Sequence, residues 1–177
     1  MLYTFGHGTN DIDSVVRFLE LNRIAALVDV RSVPKSRRNP QFAMDAMREW
    51  VPQRSGAAYR WVQELGGFRR PLPDSVNVGL RHPSFRGYAD YMQTKAFLEA
   101  FRDLIRKAAE TTTIIMCSET LWWRCHRRLI SDAALLLASV SVEHLFVHGK
   151  PKPHVLTTGV HRSGDVLVYG DPNTRAT

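Results

Sequence analysis

One stretch in the second half of the chain concentrates the side chains that can do chemistry. Residues 113–116 are an apolar, β-branched run that predicts a buried strand, and a helical pattern follows from about residue 125. The loop between them carries two thiols, a hydroxyl, a carboxylate, a guanidinium group and an imidazole; these belong to Cys117, Ser118, Glu119, Arg124, Cys125 and His126. Open α/β sheets bind ligands beyond the carboxyl ends of their strands, so we expect a site in this loop.

The N-terminal part places two further polar groups after strands. Residues 2–5 and 24–30 are apolar runs typical of strands, and the amphipathic pattern between them predicts a helix over about 12–22 with its N-cap near Asp11. A strand, helix, strand unit of this length makes the two strands parallel, with a right-handed crossover. His7 follows the first strand and Arg31 follows the second.

The remaining pattern predicts the rest of an α/β fold. We expect helices at about 41–50, 84–92, 95–110 and 125–138, and strands at 58–62, 113–117 and 142–147. Glycine and proline break up the stretch 63–82, which predicts a long surface loop. The fold class is therefore α/β, three-layered and Rossmann-like, with a mostly parallel sheet flanked by helices. One domain is expected over 1–149, followed by a tail over 150–177 that forms a hairpin around 162–165, either at the sheet edge or as an exposed appendage.

The three groups that follow strands are expected to converge. Parallel strands bring their carboxyl ends to one rim, which places His7, Arg31 and Cys117 at a common crevice. A nearby helix N-terminus and several arginines would stabilise the Cys117 thiolate and lower the pKa of the thiol, so Cys117 is a candidate nucleophile. Glu119 would then act as acid or base, with His7 or His126 as its counterpart. The alternative for Cys117 is a small buried hydrophobe at the end of a core strand.

Basic and aromatic side chains indicate recognition of an anion. The candidates are Arg31, Arg37, Arg38, Arg124, His126 and Arg127. Guanidinium groups suit phosphate oxygens, and the helix N-terminus near Trp123 adds backbone N–H groups. Trp122 and Trp123 can stack on nucleobases, although one of them is expected in the core because adjacent residues of a helix point in different directions. For the arginines, the alternative is a solvated basic face.

A metal site is a further alternative for the same loop. Cys117, Cys125 and His126, with His7 as a fourth, are ligands that zinc accepts. Their spacing matches no common zinc module, and two adjacent ligands are awkward on a helix. The primary expectation is therefore no metal, with zinc as the alternative, and the sequence requires no cofactor.

Composition limits the class of protein. The 177 residues carry 24 Lys and Arg against 17 Asp and Glu, a net charge of +7 that favours polyanionic partners. No run approaches the roughly 18 apolar residues of a membrane span, so we expect no membrane association. Two cysteines and no apparent signal peptide predict a cytoplasmic protein. Nothing in the sequence indicates the oligomeric state.

Five segments in order resemble one known family. They are TFGHGT, VDVRSVPKSRRNPQF, LGGFRR, FRGYADYM and MCSETLWWRCHRRLI. This set is similar to the bacterial and archaeal DUF488 family, a domain of unknown function, with two departures: Thr9 stands where serine is commoner, and Arg38 and Asn39 lengthen one spacing. The resemblance extends to about Val147. It implies a three-layer α/β fold and carries no established reaction.

Two functions follow from these residues. The first is an enzyme, a hydrolase or transferase, that acts on a phosphate-bearing substrate such as a nucleotide or nucleic acid at the rim of the sheet. The second is a nucleic-acid-binding module without turnover that uses the basic loops and tryptophans. Substitution of Cys117 or Glu119 should abolish the activity of an enzyme, whereas removal of arginines should weaken a binding module.

Overall fold

A six-stranded sheet forms the centre of the structure, a computed structural model that describes residues 1–170. The strands are β1 (Leu2–Gly6), β2 (Ala26–Asp29), β3 (Ala58–Trp61), β4 (Thr113–Cys117), β5 (Val142–His144) and β6 (Lys152–Pro153). Their order is β3-β2-β4-β1-β5-β6, and every pairing among them is parallel except that of β5 with β6. The expected mostly parallel sheet is confirmed.

Five helices cover the two faces of this sheet. They are α1 (Ile12–Leu21), α2 (Met44–Ser55), α3 (Pro83–Met92), α4 (Lys95–Glu110) and α5 (Arg127–Ala138). Helices α1 and α2 enclose one hydrophobic core, and α3, α4 and α5 enclose the other. The protein therefore has the three-layer α/β fold that the sequence predicted.

The side chains of β4 alternate between the two cores. Ile114 and Met116 pack on the side of α1 and α2, whereas Ile115 and Cys117 pack on the side of α3, α4 and α5. Successive residues of a strand point to opposite faces, so the position of Cys117 follows from its register. Cys125 belongs to the same core as Cys117.

The chain changes direction between β1 and β4, which lie side by side. From β1 the chain passes through α1 to β2, on one side of this pair of strands. From β4 it passes through α5 to β5, on the other side. Such a switch point leaves a crevice beyond the carboxyl ends of the two strands. Gly6 and Cys117 are paired at those ends, so the reactive loop lies beside the crevice.

Element boundaries differ from the sequence-based prediction at several places; helix α2, for example, begins at Met44 instead of about residue 41, after a 3₁₀ turn at Pro40–Phe42. Helix α2 extends past Pro52 to Ser55, and the Gly56 N–H closes the last turn on the Pro52 carbonyl. Strand β5 ends at His144 instead of continuing to residue 147. Helix α5 begins at Arg127, because a 3₁₀ turn (Trp122–Arg124) and an extended Cys125 precede it. The last difference matters for the site.

The described part of the tail is joined to the domain in two ways. Strand β6 extends the edge of the central sheet, and β7 (Val160–Ser163) and β8 (Val166–Tyr169) form a separate antiparallel hairpin. Leu167 and Tyr169 of β8 are buried in the core of α3, α4 and α5. The hairpin is thus neither an addition to the main edge nor an exposed appendage, and residues 171–177 of the predicted tail lie outside the described residues. Within 1–170, no helix combines the length and apolar character needed to cross a bilayer.

Candidate active site

Backbone hydrogen bonds join three loops beyond the strand ends. The His7 N–H donates to the Cys117 carbonyl at 3.0 Å and the Gly8 N–H to the Ser118 carbonyl at 3.0 Å. On the other side of β4, the Val30 N–H donates to the Met116 carbonyl at 3.0 Å. The loops that follow β1, β2 and β4 are therefore held against one another.

A cavity of about 560 Å³ opens at this rim, and we call it the cysteine cleft. Its reactive and charged lining residues are Arg31, His82, Cys117, Glu119, Arg124, Cys125 and His126. Its aromatic lining residues are Phe68, Phe85, Tyr88 and Trp123. Side chains from segments far apart in sequence thus meet in one concave site of the size that small-molecule ligands occupy.

Cys117, Cys125 and His126 form a compact cluster in this cleft. Their two sulfur atoms and a ring nitrogen lie within 4.8 Å of one another. Cys125 has extended backbone angles (φ −125°, ψ 151°), and His126 occupies the N-cap position of α5. The objection that adjacent ligands are awkward on a helix therefore does not apply, because Cys125 lies outside the helix.

The two thiols differ in protonation. The hydrogen bond with Cys125, together with burial, raises the pKa of Cys117 to about 12. Burial also acts to raise the pKa of Cys125, but the hydrogen bond from Cys117 and the charge of Arg127 outweigh it and lower that pKa to about 6. The expected lowering of the Cys117 pKa is thus reversed, and the stabilised thiolate belongs to Cys125.

Arg127 explains that preference. Its side chain is 1% exposed, its Nε donates to the Cys125 sulfur at 3.4 Å, and its Nη2 donates to the Glu119 carbonyl. It makes no salt bridge with a carboxylate within residues 1–170. A buried cation is costly unless an anion compensates it, and the Cys125 thiolate lies closest. Arg127 therefore faces the thiol and the loop instead of the open cleft.

The His126 ring is held in a defined orientation. Its Nε2–H donates to the Val30 carbonyl at 2.7 Å, and in this tautomer of the neutral ring the Nδ1 lone pair lies 3.6 Å from the Cys125 sulfur. A Cβ at Gly67 would lie 3.0 Å from Nδ1, so this glycine makes room for the ring. The Tyr88 ring packs edge-on against His126 with centroids 5.1 Å apart, and the Tyr88 hydroxyl donates to the Leu65 carbonyl at 2.7 Å.

Arg31 forms a buried ion pair with Asp29. Its Nε donates to one carboxylate oxygen at 2.8 Å and its Nη2 to the other at 2.5 Å. Both residues are buried, with Asp29 0% and Arg31 6% exposed, so the two charges compensate each other away from solvent. Tyr59 also donates to Asp29 at 2.8 Å, so the carboxylate is fully engaged.

His7 lies in a second, smaller opening of about 360 Å³, the histidine cleft. Its Nδ1–H donates to the Gly8 carbonyl at 2.8 Å, its Nε2 lies 3.4 Å from Nη1 of Arg31, and its ring stacks on Phe42. Burial and the charge of Arg31 lower the pKa of His7 to about 4, so the ring is neutral at neutral pH. Arg31 and Glu119 line both clefts and form part of the wall between them.

The other predicted anion-binding residues are spread over different surroundings. Arg124 is exposed and lines the cysteine cleft. Arg37 and Arg38 are also exposed, but they belong to the lining of neither cleft; Lys35 of the same loop lines the histidine cleft. The two tryptophan rings are perpendicular to each other: Trp122 stacks on His144 with centroids 4.0 Å apart, and Trp123 lines the cysteine cleft. Neither tryptophan is fully buried, so the expectation that one of them lies in the core is wrong.

Glu119 is exposed on the loop after β4. Its Oε1 accepts a hydrogen bond from the Leu121 N–H at 2.9 Å. A Cβ at Gly6 would overlap the Glu119 carbonyl, so only glycine at that position lets the loop cross β1 this closely. The carboxylate is thus brought to the rim of both clefts.

Comparison with known proteins identifies the family. The model of the family described as "Domain of unknown function DUF488" matches residues 11–134. The chain belongs to the DUF488 family. Comparison with curated proteins finds no match, and neither does comparison with solved structures.

In this DUF488 chain, several lining residues had no predicted role. Gly67, Tyr88 and Phe85 come from the LGGFRR and FRGYADYM segments, which contributed to the family resemblance but suggested no contact with the site. The sequence showed these residues as parts of motifs. It did not show that they line the same cleft as His126, because this depends on the path of the long loop before α3. Four of the five motif segments thus line the cysteine cleft, whereas TFGHGT contributes His7 to the histidine cleft.

Proposed function

We propose that this DUF488 protein is an enzyme that acts on a phosphate-bearing substrate, a nucleotide or a nucleic acid, in the cysteine cleft. The observation that carries the proposal is the meeting of two thiols, an imidazole and a carboxylate with a free arginine in one cleft. Such a combination supplies both reactive groups and a means of holding an anion.

The choice of substrate class rests on charge and aromatic surface. Arg124 is exposed at the cleft and makes no salt bridge within the described residues, so its guanidinium is available to phosphate. Phe68 is 92% exposed and Trp123 is 40% exposed, and both line the same cleft. A nucleotide fits this arrangement, with its planar base stacked on an aromatic ring and its phosphate near Arg124.

Glu119 is the proposed general acid or base. It is exposed to the cleft, and its backbone is fixed by Gly6 and Arg127. His7 is better suited to orienting Arg31, because both of its ring nitrogens are engaged and its pKa is low. The free thiols of Cys117 and Cys125 provide the remaining reactive groups and fit a protein of the reducing cytoplasm.

A nucleic-acid-binding module without turnover is the second candidate. The exposed rings of Phe68 and Trp123 favour it, since solvent-exposed aromatic residues next to arginines are typical of surfaces that bind single strands. In that case Arg124→Ala should shallow the salt dependence of binding by about one unit, and substitution of Glu119 should have no effect.

The test is a search for product. The reduced protein is incubated with nucleoside mono-, di- and triphosphates and with single-stranded DNA and RNA, and mass spectrometry identifies any change in substrate mass. Wild-type protein should form a product, and Glu119→Gln should slow its formation by about 100-fold or more while binding persists. Glu99→Gln is the matched control, because Glu99 lies exposed on α4 and lines neither cleft.

Two results would contradict the proposal. Binding of oligonucleotides without product, with equal affinity in Glu119→Gln, would identify the binding module instead. Equal rates of product formation in Glu119→Gln and Glu99→Gln would show that Glu119 is not the general acid or base.

A further inference from the structure

We infer that Cys117, Cys125 and His126 bind one transition-metal ion, with zinc as the favoured ion, at the inner wall of the cysteine cleft. The two sulfur atoms and one ring nitrogen lie within 4.8 Å of one another. Thiolate and imidazole are the ligands that zinc prefers, and two thiolates with one imidazole exclude hard ions such as Mg²⁺ and Ca²⁺. Metal binding itself does not depend on the proposed function.

The spacing matches tetrahedral coordination. With Zn–S near 2.3 Å and Zn–N near 2.05 Å, a tetrahedral ion separates a sulfur and a nitrogen ligand by about 3.6 Å. The Cys125 sulfur and His126 Nδ1 are 3.6 Å apart. Two sulfur ligands would be about 3.8 Å apart. Because all three atoms lie within 4.8 Å of one another, the Cys117 sulfur needs to move by about 1.2 Å at most.

His126 is already prepared as a ligand. Its Nε2–H is donated to the Val30 carbonyl at 2.7 Å, which fixes the tautomer with the Nδ1 lone pair on the side of the thiols. Histidine ligands of metals usually donate their second ring nitrogen to a carbonyl or carboxylate in this way. Gly67 leaves the approach to Nδ1 free of a side chain, since a Cβ there would lie 3.0 Å from that atom.

The surroundings fit a reactive ion better than a purely structural one. Structural zinc sites usually have four protein ligands, whereas catalytic sites have three and keep one position for water or substrate. Within the described residues, three candidate ligands meet here, and all three line the open cysteine cleft. Arg127 donates to the Cys125 sulfur at 3.4 Å, a contact that stabilises a negatively charged ligand.

A catalytic role for this ion rests on the proposed function. The ion would hold a water molecule facing the substrate, and Glu119 lies two residues after a ligand, at the lining of the same cleft. In a hydrolysis, the water oxygen bonds to the electrophilic atom, its proton passes to Glu119, and Glu119 returns that proton to the leaving group as the old bond breaks. Zinc deaminases of nucleobases likewise combine one histidine and two cysteine ligands with a glutamate that does not bind the metal.

Cobalt(II) is the probe that tests metal binding. The full chain, reduced and freed of metal by chelation, is titrated with Co²⁺ and then with Zn²⁺. We expect one equivalent of Co²⁺ to bind, with sulfur-to-cobalt charge-transfer bands and strong visible bands of tetrahedral cobalt that Zn²⁺ abolishes. Cys117→Ser, Cys125→Ser and His126→Ala should each weaken binding by more than about 100-fold. His82→Ala is the matched control, because His82 lines the cleft outside the cluster.

A second measurement avoids the variants, in case one of them does not fold. Zinc bound to wild-type protein should protect Cys117 and Cys125 from alkylation, as read by mass spectrometry. Absence of charge-transfer bands at one equivalent of Co²⁺, or alkylation unchanged by zinc, would overturn the inference.

Turnover separates this inference from the proposed function. Turnover that appears only in the zinc-loaded protein supports both, and turnover equal in metal-free and loaded protein overturns the catalytic role of the ion. One equivalent of bound cobalt without turnover on any tested substrate contradicts the proposed function and supports the metal site.

Discussion

Replacing Arg127 with methionine should raise the pKa of Cys125 in the reduced, metal-free protein. The guanidinium is buried and donates from Nε to the Cys125 sulfur at 3.4 Å. Methionine has a similar length and fills the apolar part of the space, but it carries neither the charge nor the N–H donor. The thiolate of Cys125 would then lose its nearest compensating cation.

The size of the effect follows from that contact. A hydrogen bond to a charged group contributes about 1.5 to 3 kcal/mol, and one pKa unit corresponds to about 1.36 kcal/mol. The pKa of Cys125, now lowered to about 6, should therefore rise to between about 7 and 8. At pH 7 the thiolate fraction would fall from about 90% to between about 50% and 10%.

Alkylation read by mass spectrometry provides the assay. The rate of modification of Cys125 is measured from pH 5 to pH 10 and compared with that of Cys117, whose pKa is raised to about 12. Arg128→Met is the matched control, because the adjacent arginine places its guanidinium over the Phe85 ring, 4.7 Å from the centroid. An unchanged profile for Cys125 in Arg127→Met, or an equal change in Arg128→Met, would refute the reasoning.

Three further predictions concern stability. Burial lowers the pKa of His144 to about 3, so below pH 6.5 the unfolded chain binds a proton that the folded chain does not. Stability therefore rises with pH, and this group should make the free energy of unfolding about 2 kcal/mol lower at pH 5 than at pH 7, measured by urea denaturation. Asp29→Asn should cost about 3 to 5 kcal/mol, because it leaves Arg31 buried without its carboxylate. Gly6→Ala should cost about 2 kcal/mol or more and displace the Glu119 loop, because the new Cβ overlaps the Glu119 carbonyl.

Each of these predictions has its own control. His7, whose pKa is lowered to about 4, contributes a pH effect of similar size, so His144→Asn should remove only about 2 kcal/mol of the difference between pH 5 and pH 7. A pH dependence equal to that of the wild type would assign the effect to other groups. For the ion pair, the double variant Asp29→Asn with Arg31→Met should recover part of the loss. A cost below about 1 kcal/mol for Asp29→Asn would mean that Arg31 finds another partner. Gly164→Ala measures the cost of backbone strain without a steric overlap, because Gly164 has a left-handed backbone (φ +61°) and open space around it, whereas the Gly6 backbone is not left-handed.

The fold was predictable because its determinants are local. Continuous apolar runs at 24–30 and 113–116 indicate strands buried on both faces, and the switch point then places their ends at one rim. The identity of the rim residues His7, Arg31 and Cys117 followed from that argument. The boundary errors at Pro52 and at the start of α5 arose where a single turn of helix or 3₁₀ structure decides the outcome.

The orientation of the site residues was not predictable in the same way. Arg127 points inward because its guanidinium reaches the Glu119 carbonyl and the Cys125 sulfur, contacts that depend on the path of the loop over β1. The division of the rim into two clefts depends on Arg31, which pairs with Asp29 and closes the space next to His7. The sequence pattern does not show which of these residues come into contact in the folded protein.

The most direct test of the proposed function is the turnover of Glu119→Gln relative to Glu99→Gln on a phosphate-bearing substrate. Both variants remove one exposed carboxylate, but only Glu119 lines the cysteine cleft. An enzyme acting in that cleft should lose about 100-fold or more in rate with Glu119→Gln and keep its full rate with Glu99→Gln. Equal rates in the two variants would contradict the assignment of the active site.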